Sequence, residues 1–480
     1  MDIHNRYADI RFKDRPITDK VDPESFALEP GEISADYEVK RNVSLLDLYP
    51  DIDRFLTYST DRYVKREWME REWDSMWTQA WQIAGRGSDI PNVGDWFRYD
   101  IGKESFIIVR SAPGEVKALY NVCKHRGNRI VVDEFGHDAR SFSCIVHSWR
   151  WDIKGKIARV TDRETFKAAA LCDDLDLTQA HVKEWGGFVF LSMADEPVPF
   201  EEHYGELLTA LASYRMEEMF VIKDVTMEVP CNWKVIFDIF NEGYHAHAAH
   251  PQILPFIEDL FIQHDFYPNG HNRSLFPNMA VSQRWPDRDK LTELLALFTR
   301  ETGLLVEDYA MNATAVRRAI QAAKRKPDNV FGMDYSTFTD NQLTDDWNPG
   351  LFPNVTLNAH PEGVLFIRIR PHADDPERCH YDIMVLSRKM ADNVRPPSYM
   401  GVGPEVDVSG RTRPPRIHCT FEESELGEVL DQDIFNAINM QKGMRSRGLK
   451  GVMRYSQQEA RVQQFHAELE LYLEGKKVRS

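Results

Sequence analysis

The sequence predicts an α+β protein: a small all-β domain, then a larger domain in which an antiparallel sheet is covered by helices. Three observations carry this. Between about residues 85 and 195 the texture is short β runs with turns: 105–110 (SFIIVR), 116–122 (VKALYNV) and 187–193 (GFVFLSM), with Pro113-Gly114 as a turn. A second set of β runs follows at 225–229, 355–358, 364–370 and 381–387. Helical patterns frame both sets, at 62–83, at 204–220, from Pro286 to Phe298 with Gly303 as the stop, and from Leu426 onward as two helices split near 445–451. The division that follows is an irregular arm over 1–60, a helix over 61–84 packing on the larger domain, the all-β domain over 85–195, and the larger domain over 196–480.

Composition bounds the function. The chain has 480 residues, 42% hydrophobic and 11% aromatic, enough to bury a sizeable core. A formal net charge of -17 argues against nucleic acid as a partner, which would call for a basic stripe. No run of eighteen apolar residues is present, so no membrane span is expected, and the polar start MDIHNRYADIRFKDRP lacks the apolar core of a signal peptide. Six scattered cysteines are too few for a disulfide framework. The expected compartment is the reducing cytoplasm, where a close Cys/His group points to metal. Trp68, Trp73, Trp77 and Trp81 recur at spacings near four and read as a core face of the first helix.

Two cysteines and two histidines form the first constellation. Cys123-Lys-His125 and Cys144-Ile-Val-His147 each bring one thiolate and one imidazole from one tight loop. Such a set suits zinc or an iron–sulfur cluster. A structural zinc finger usually places Cys with Cys and His with His, whereas here each loop is mixed. Mixed loops suit a [2Fe–2S] cluster with two Cys on one iron and two His on the other. A zinc-stapled binding protein is the rival reading. Residues 120–160 carry eight Lys/Arg against four acids, a local charge of +4 in a strongly acidic chain. That collar either steers an acidic electron donor or is an ordinary solvated loop surface. His137 reads as a solvent-facing loop residue.

With His125-Arg126-Gly127 after the first cysteine and Ser148-Trp149-Arg150-Trp151-Asp152 after the last histidine, the stretch resembles the Rieske domain of ring-hydroxylating oxygenases. There a C-x-H-R-G loop faces a C-P-x-H-G-W-x-x-D loop. Ile145 stands where proline is usual, and Ser148 where glycine is usual.

The second constellation lies in 231–251, CNWKVIFDIFNEGYHAHAAHP. Two imidazoles and one carboxylate on one face leave Fe(II) open positions for O₂ and substrate. In a regular helix His245 and His250 lie about 140° apart, so they share a metal only where the helix distorts or ends. Pro251 favours an ending there. His247 faces elsewhere. The string resembles the family's mononuclear-iron motif at Asn232-Trp233-Lys234, Glu242, His245 and His250. The resemblance implies a third ligand just before a final helix bearing a glutamine. In register with Gln441, that is Asp433, with Asp431 the runner-up as a helix N-terminal acid.

The resemblance, over roughly 65–475, implies the α subunit of a Rieske-type oxygenase. Electrons from NAD(P)H would arrive through a reductase, with or without a ferredoxin. They would cross between subunits of a homotrimer, with stacked trimers or α₃β₃ as variants. Glu242 stands where the family places the acid that bridges the two centres. Glutamate there resembles the branch of carnitine and related quaternary-amine monooxygenases, whereas most ring-hydroxylating dioxygenases have aspartate. The activity implied is hydroxylation of an aromatic or other cyclic small molecule, as in aromatic hydrocarbon catabolism. The alternative is an O- or N-demethylase or a quaternary-amine monooxygenase, for which an aromatic cage would serve a substrate cation. Chain length implies insertions around 260–345 that cover the pocket. Phe237, Phe240, Phe352 and Phe366 are read as core before pocket.

Overall fold

The computed structural model describes residues 45–477. Most of the arm expected over 1–60 lies outside the described residues. Its described part is not irregular: helical turns form at Leu45–Leu48 and Ile52–Phe55, and the strand Thr57–Ser59 pairs antiparallel with Val452–Arg454. The chain divides into two compact units. One is Glu70–His203 with Pro371–Asp375 and residues 472–477. The other is residues 45–69, Tyr204–Arg370 and Pro376–Leu471.

The single helix expected over 62–83 is three pieces, Asp61–Val64, Arg66–Glu72 and a π turn Trp73–Trp77. Lys65 is extended (φ -96°, ψ 132°) and makes the first break. In the π turn the Thr78 amide reaches back five residues to the Trp73 carbonyl, 3.3 Å. Trp77 and Trp81 are buried, and Trp68 and Trp73 are half-buried.

The β unit holds a seven-stranded sheet. Its order is Gln82–Arg86, Phe188–Ser192, Gln179–Trp185, Glu115–Tyr120, Glu104–Ala112, Trp96–Ile101 and Phe135–Gly136. Pro113-Gly114 closes the hairpin between the fourth and fifth of these, and Gly114 takes φ 72°, a conformation glycine adopts without cost. A three-stranded sheet, Ser141–Ser143, Arg150–Asp152 and Ile157–Arg159, completes the unit. The apolar core includes Trp96, Ile107, Leu119, Phe142 and Trp151, and both Cys123 and Cys144 are packed into it.

The larger unit is built on an eight-stranded sheet: Gln263–Phe266, Asn272–Phe276, Asp346–Leu351, Val355–His360, Gly363–Pro371, Cys379–Ser387, Phe220–Val229 and Ile417–Thr420. The last strand joins Phe220–Val229 in parallel, while that strand's other neighbour is antiparallel. The region 204–220 is helical only in short pieces, Glu206–Leu211 and two 3₁₀ turns, before Phe220 opens the strand. Within 260–345 the helices Glu293–Glu301 and Val316–Lys324 share a small core through Leu295, Phe298, Val316 and Ile320. Thr292 caps the first of them by accepting from the Leu295 amide. The stretch from Leu426 on forms two helices, Glu428–Met444 and Ala460–Leu473.

Two helices position the iron motif: Trp233–Phe240 and Glu428–Met444, which pack against one another. The Asn232 side chain accepts from the Lys234 amide and caps the first helix. Its own amide donates to Gln441 Oε1 of the second helix at 2.8 Å. The asparagine of N-W-K and the distant glutamine thus form one clamp. Gln441→Ala leaves the buried Asn232 amide without an acceptor and should cost about 1–3 kcal/mol. Chemical denaturation of the purified protein reads this, and an unchanged midpoint counts against the clamp.

Candidate metal centres

The two Cys/His loops are built on one hydrogen-bonded frame. The Cys123 amide donates to Asn128 O and the Gly127 amide to Cys123 O, at 2.8 and 2.9 Å. The Cys144 amide donates to Trp149 O and the Ser148 amide to Cys144 O, both at 2.9 Å. The turn residues Gly127 and Ser148 both take positive φ, 76° and 59°. The frame explains why glycine is usual at the second position and why serine there is strained.

These loops ring a cavity of about 200 Å³ lined by Cys123, His125, Cys144 and His147 with Arg126, Gly127, Asn128 and Val146. The cysteines form its buried end and lie against each other, and burial foremost pushes the Cys123 thiol up. The histidines are at the outer end, with Nδ1 of His125 and Nδ1 of His147 only 3.2 Å apart. The indole of buried Trp149 stacks on His125, centroids 5.0 Å apart, and orients the ring. Two soft donors inside and two imidazoles outside fit the segregated donor set of a Rieske cluster. Around them Ile145, Val146 and Val132 are exposed, Ile145 at 80%. His137 is exposed, as read from the sequence, and hydrogen-bonds Asp95.

In the larger unit the helix carrying the second motif ends at Phe240, and a separate short helix, Ala246–Ala249, follows. His245 and His250 flank that short helix, and His250 leaves it at φ -127°, ψ 51°. The departure of His250 from helical geometry supplies the distortion that two histidines five apart require. His250 Nε2 lies 2.7 Å and His245 Nε2 3.4 Å from Asp433 Oδ1. One donor atom from each residue falls within 4.8 Å of the others, and among the described residues this is the one such group of His, Cys, Asp and Glu. Ligands about 2.1 Å from an ion and at right angles lie about 3 Å apart, so the spacing fits a facial triad.

The other ring nitrogens are also held. His245 Nδ1 faces Glu242 Oε1 at 2.5 Å, and Glu242 Oε2 accepts from the His245 amide. His250 Nδ1 faces Gln432 Oε1 at 2.6 Å. With oxygen acceptors there, Nδ1 carries the proton and Nε2 turns to Asp433. Gln432 was not legible in the sequence, except as the neighbour of Asp433. Asp431 is elsewhere: its carboxylate accepts from the Leu426 amide before the helix. His247 lies beside Tyr244, ring centroids 5.8 Å apart, outside the triad.

The electrostatics suit a cation. Burial alone would push the Asp433 carboxyl up, but His250 and His245 offset it and hold it at about 2. Burial pushes the His245 imidazole down, and Glu242 and Asp433 together overcome this and raise it well above its usual range. The triad lines a cavity of about 370 Å³, whose apolar wall includes Ile253, Phe256, Phe276, Leu365 and Ile383. Phe240 also lines it, whereas Phe237, Phe352 and Phe366 are core.

Residues 216–475 match the catalytic domain of ring hydroxylating alpha subunits, and residues 80–171 match the Rieske [2Fe–2S] domain. The chain belongs to the ring hydroxylating alpha subunit family. Its two matched domains carry a [2Fe–2S] cluster and a mononuclear iron, which sets aside the zinc-stapled reading. The glycine betaine monooxygenase oxygenase subunit of Pseudomonas aeruginosa is 29% identical over 197 residues, 40% of this chain and 44% of that one. The chain thus spans less than half the length of that relative in the match. Its fold is similar to that of a quaternary ammonium Rieske monooxygenase, with a TM-score of 0.59 at 16% identity over 86% of this chain and 94% of that one. It is also similar to that of naphthalene 1,2-dioxygenase, with a TM-score of 0.62 at 16% identity over 87% and 92%.

The left-handed turn residue of the second Rieske loop gives a test. Ser148→Gly should raise stability by about 1 kcal/mol by removing the strain of a side chain at positive φ. Thermal loss of the visible absorbance of the purified protein should move to higher temperature. A lower midpoint would contradict the strained-turn account.

Proposed function

We propose that the chain is the terminal oxygenase subunit of a Rieske-type system that hydroxylates an aromatic or other cyclic small molecule. Cys123, His125, Cys144 and His147 hold the [2Fe–2S] cluster, and His245, His250 and Asp433 hold Fe(II). The observation that carries the reading is the cavity in which the facial triad meets a largely apolar wall. When bound, the cluster delivers single electrons and the iron activates O₂. The chain's own residues set the stage. Glu242 and Gln432 fix the tautomers of His245 and His250. Phe256, Leu365 and Ile383 exclude water and seat the apolar body of the substrate.

Electrons originate from NAD(P)H and arrive through a reductase, with or without a ferredoxin. The exposed outer histidine His147 and the bare Ile145 and Val146 support a face that docks another protein. In a homotrimer, alone, stacked or as α₃β₃, that face meets the neighbouring subunit near Glu242. Glu242 there accepts from a Rieske histidine while it holds His245. The described helices include none long and apolar enough to cross a membrane. None of the six cysteines forms a disulfide, which supports a reducing compartment such as the cytoplasm.

A second reading, an O- or N-demethylase or quaternary-amine monooxygenase, is favoured by the glutamate at 242 and by the glycine betaine enzyme among the relatives. A product screen with a generic ferredoxin–reductase pair separates the two readings. Gain of oxygen on a ring supports the first, and loss of a methyl or cleavage of a C–N bond supports the second. No product from either compound class would overturn both.

Metal analysis tests the site. His250→Ala should lose about one iron per chain and keep the Rieske spectrum, while Cys144→Ser should lose cluster and colour together. Loss of both centres in either variant would show that these residues serve folding. Glu242→Gln should keep both metals and slow oxidation of the reduced cluster in a single turnover, since an amide offers one acceptor oxygen and no charge. An unchanged rate would leave Glu242 as a helper of His245 alone.

A further inference from the structure

The cavity of the iron triad has a polar part that the oxygenase reading leaves unused. Asp346, at the start of the strand Asp346–Leu351, lines it together with Asn278, Asn348, Asn358 and His360. Asp346 Oδ2 accepts from the Asn358 side chain. Asp346 Oδ1 is buried and receives no hydrogen bond, and the same holds for Asn278 Oδ1.

No cation hydrogen-bonds this carboxyl, although the charge of Arg461 reaches it. The guanidinium of Arg461, fully buried, is spent on Asn272 Oδ1, Ser274 Oγ and both oxygens of Asn348. Arg317 is paired with the adjacent Asp345 at 2.8 Å. His360 Nε2 stands 3.7 Å from Asp346 Oδ1, beyond hydrogen-bond distance, and burial foremost holds that imidazole down at about 4, neutral near pH 7. Burial pushes the Asp346 carboxyl up to about 7, with Asn358 and Arg461 offsetting part of the effect. An acid with this much lost hydration and no cation in hydrogen-bond contact is costly unless something enters to meet it.

We propose that Asp346, with Asn278 beside it in the cavity wall, is the substrate-recognition site for a protonated amine that carries an N–H and an apolar body. The inference rests on the reading of this cavity as the oxygenase site and narrows its substrate class. Both orphaned atoms are acceptors, so the missing partner is a donor. The carboxyl, compensated only in part by Arg461 and free of any hydrogen-bonded cation, selects a cationic donor over a hydroxyl. A quaternary ammonium matches the charge but has no N–H, and it would leave both acceptors buried and unpaired. The aromatic and aliphatic wall takes the remainder of the molecule. A cavity of about 370 Å³ is at the small end for ligand pockets, so that remainder is small.

Anaerobic titration calorimetry of the holoprotein tests this with three probes that share a phenylethyl body: 2-phenylethylamine, 2-phenylethanol and trimethyl(2-phenylethyl)ammonium. The amine should bind about 10- to 100-fold tighter than either of the others, the range for hydrogen bonds to a charged group. Asp346→Asn should erase that preference while iron content and cluster spectrum stay at wild-type levels. Equal affinities in the wild type, tighter binding of the trimethylated probe, no binding of the amine, or a preference that survives Asp346→Asn each overturn the proposal. The wild-type ratio decides by itself if the variant does not fold. Iron content and cluster spectrum report on the oxygenase reading independently, so failure of one is distinguishable from failure of the other.

Discussion

The larger unit depends on one contact, the 2.7 Å approach of the Asp433 carboxylate to the His250 imidazole across 183 residues of sequence. A buried carboxylate is unfavourable unless opposite charge and hydrogen bonds compensate it. Here two imidazoles do so, and each of them is anchored on its far side by an oxygen of Glu242 or Gln432. The arrangement needs two chain segments at a fixed spacing. The Asn232–Gln441 clamp sets that spacing by tying the N-terminus of one helix to the body of the other. The short helix Ala246–Ala249 gives way at His250, which leaves helical geometry; a continuous helix would send His245 and His250 to different sides.

The β unit solves a related problem by local means. Each of its loops folds back on its own cysteine carbonyl, so thiol and imidazole come from one turn and need no distant segment. The cysteines sit in the apolar core, and the histidines face outward. A cluster held this way is screened from water on the sulfur side and reachable on the imidazole side, where the exposed valines and Ile145 leave an apolar rim.

This difference explains what could be read from the sequence. The Cys/His loops are legible because the ligands of each pair lie two or three residues apart. The requirement that the helix distort or end between His245 and His250 follows from about 100° per residue, and the structure ends it at His250. Asp433 carries no local signal linking it to His250 and is reached through resemblance to the family motif. Gln432 and Asp346 carry no signal in the sequence, because their meaning lies in what faces them after folding. The helix expected over 62–83 shows the limit of periodicity: tryptophans spaced near four fit an unbroken helix, yet the π turn at Trp73 and the extended Lys65 divide it. The strands at 105–110, 116–122, 355–358 and 364–370 were legible because turn residues bound them.

The central claim is that His245, His250 and Asp433 hold an iron with an open position. Nitric oxide added to the anaerobic ferrous protein, read by electron paramagnetic resonance, tests it most directly. The account predicts a quartet-spin iron–nitrosyl signal beside the rhombic signal of the reduced cluster, and selective loss of the quartet signal in Asp433→Ala. A quartet signal that survives Asp433→Ala, or its absence from wild-type protein carrying iron beyond the cluster, would contradict it.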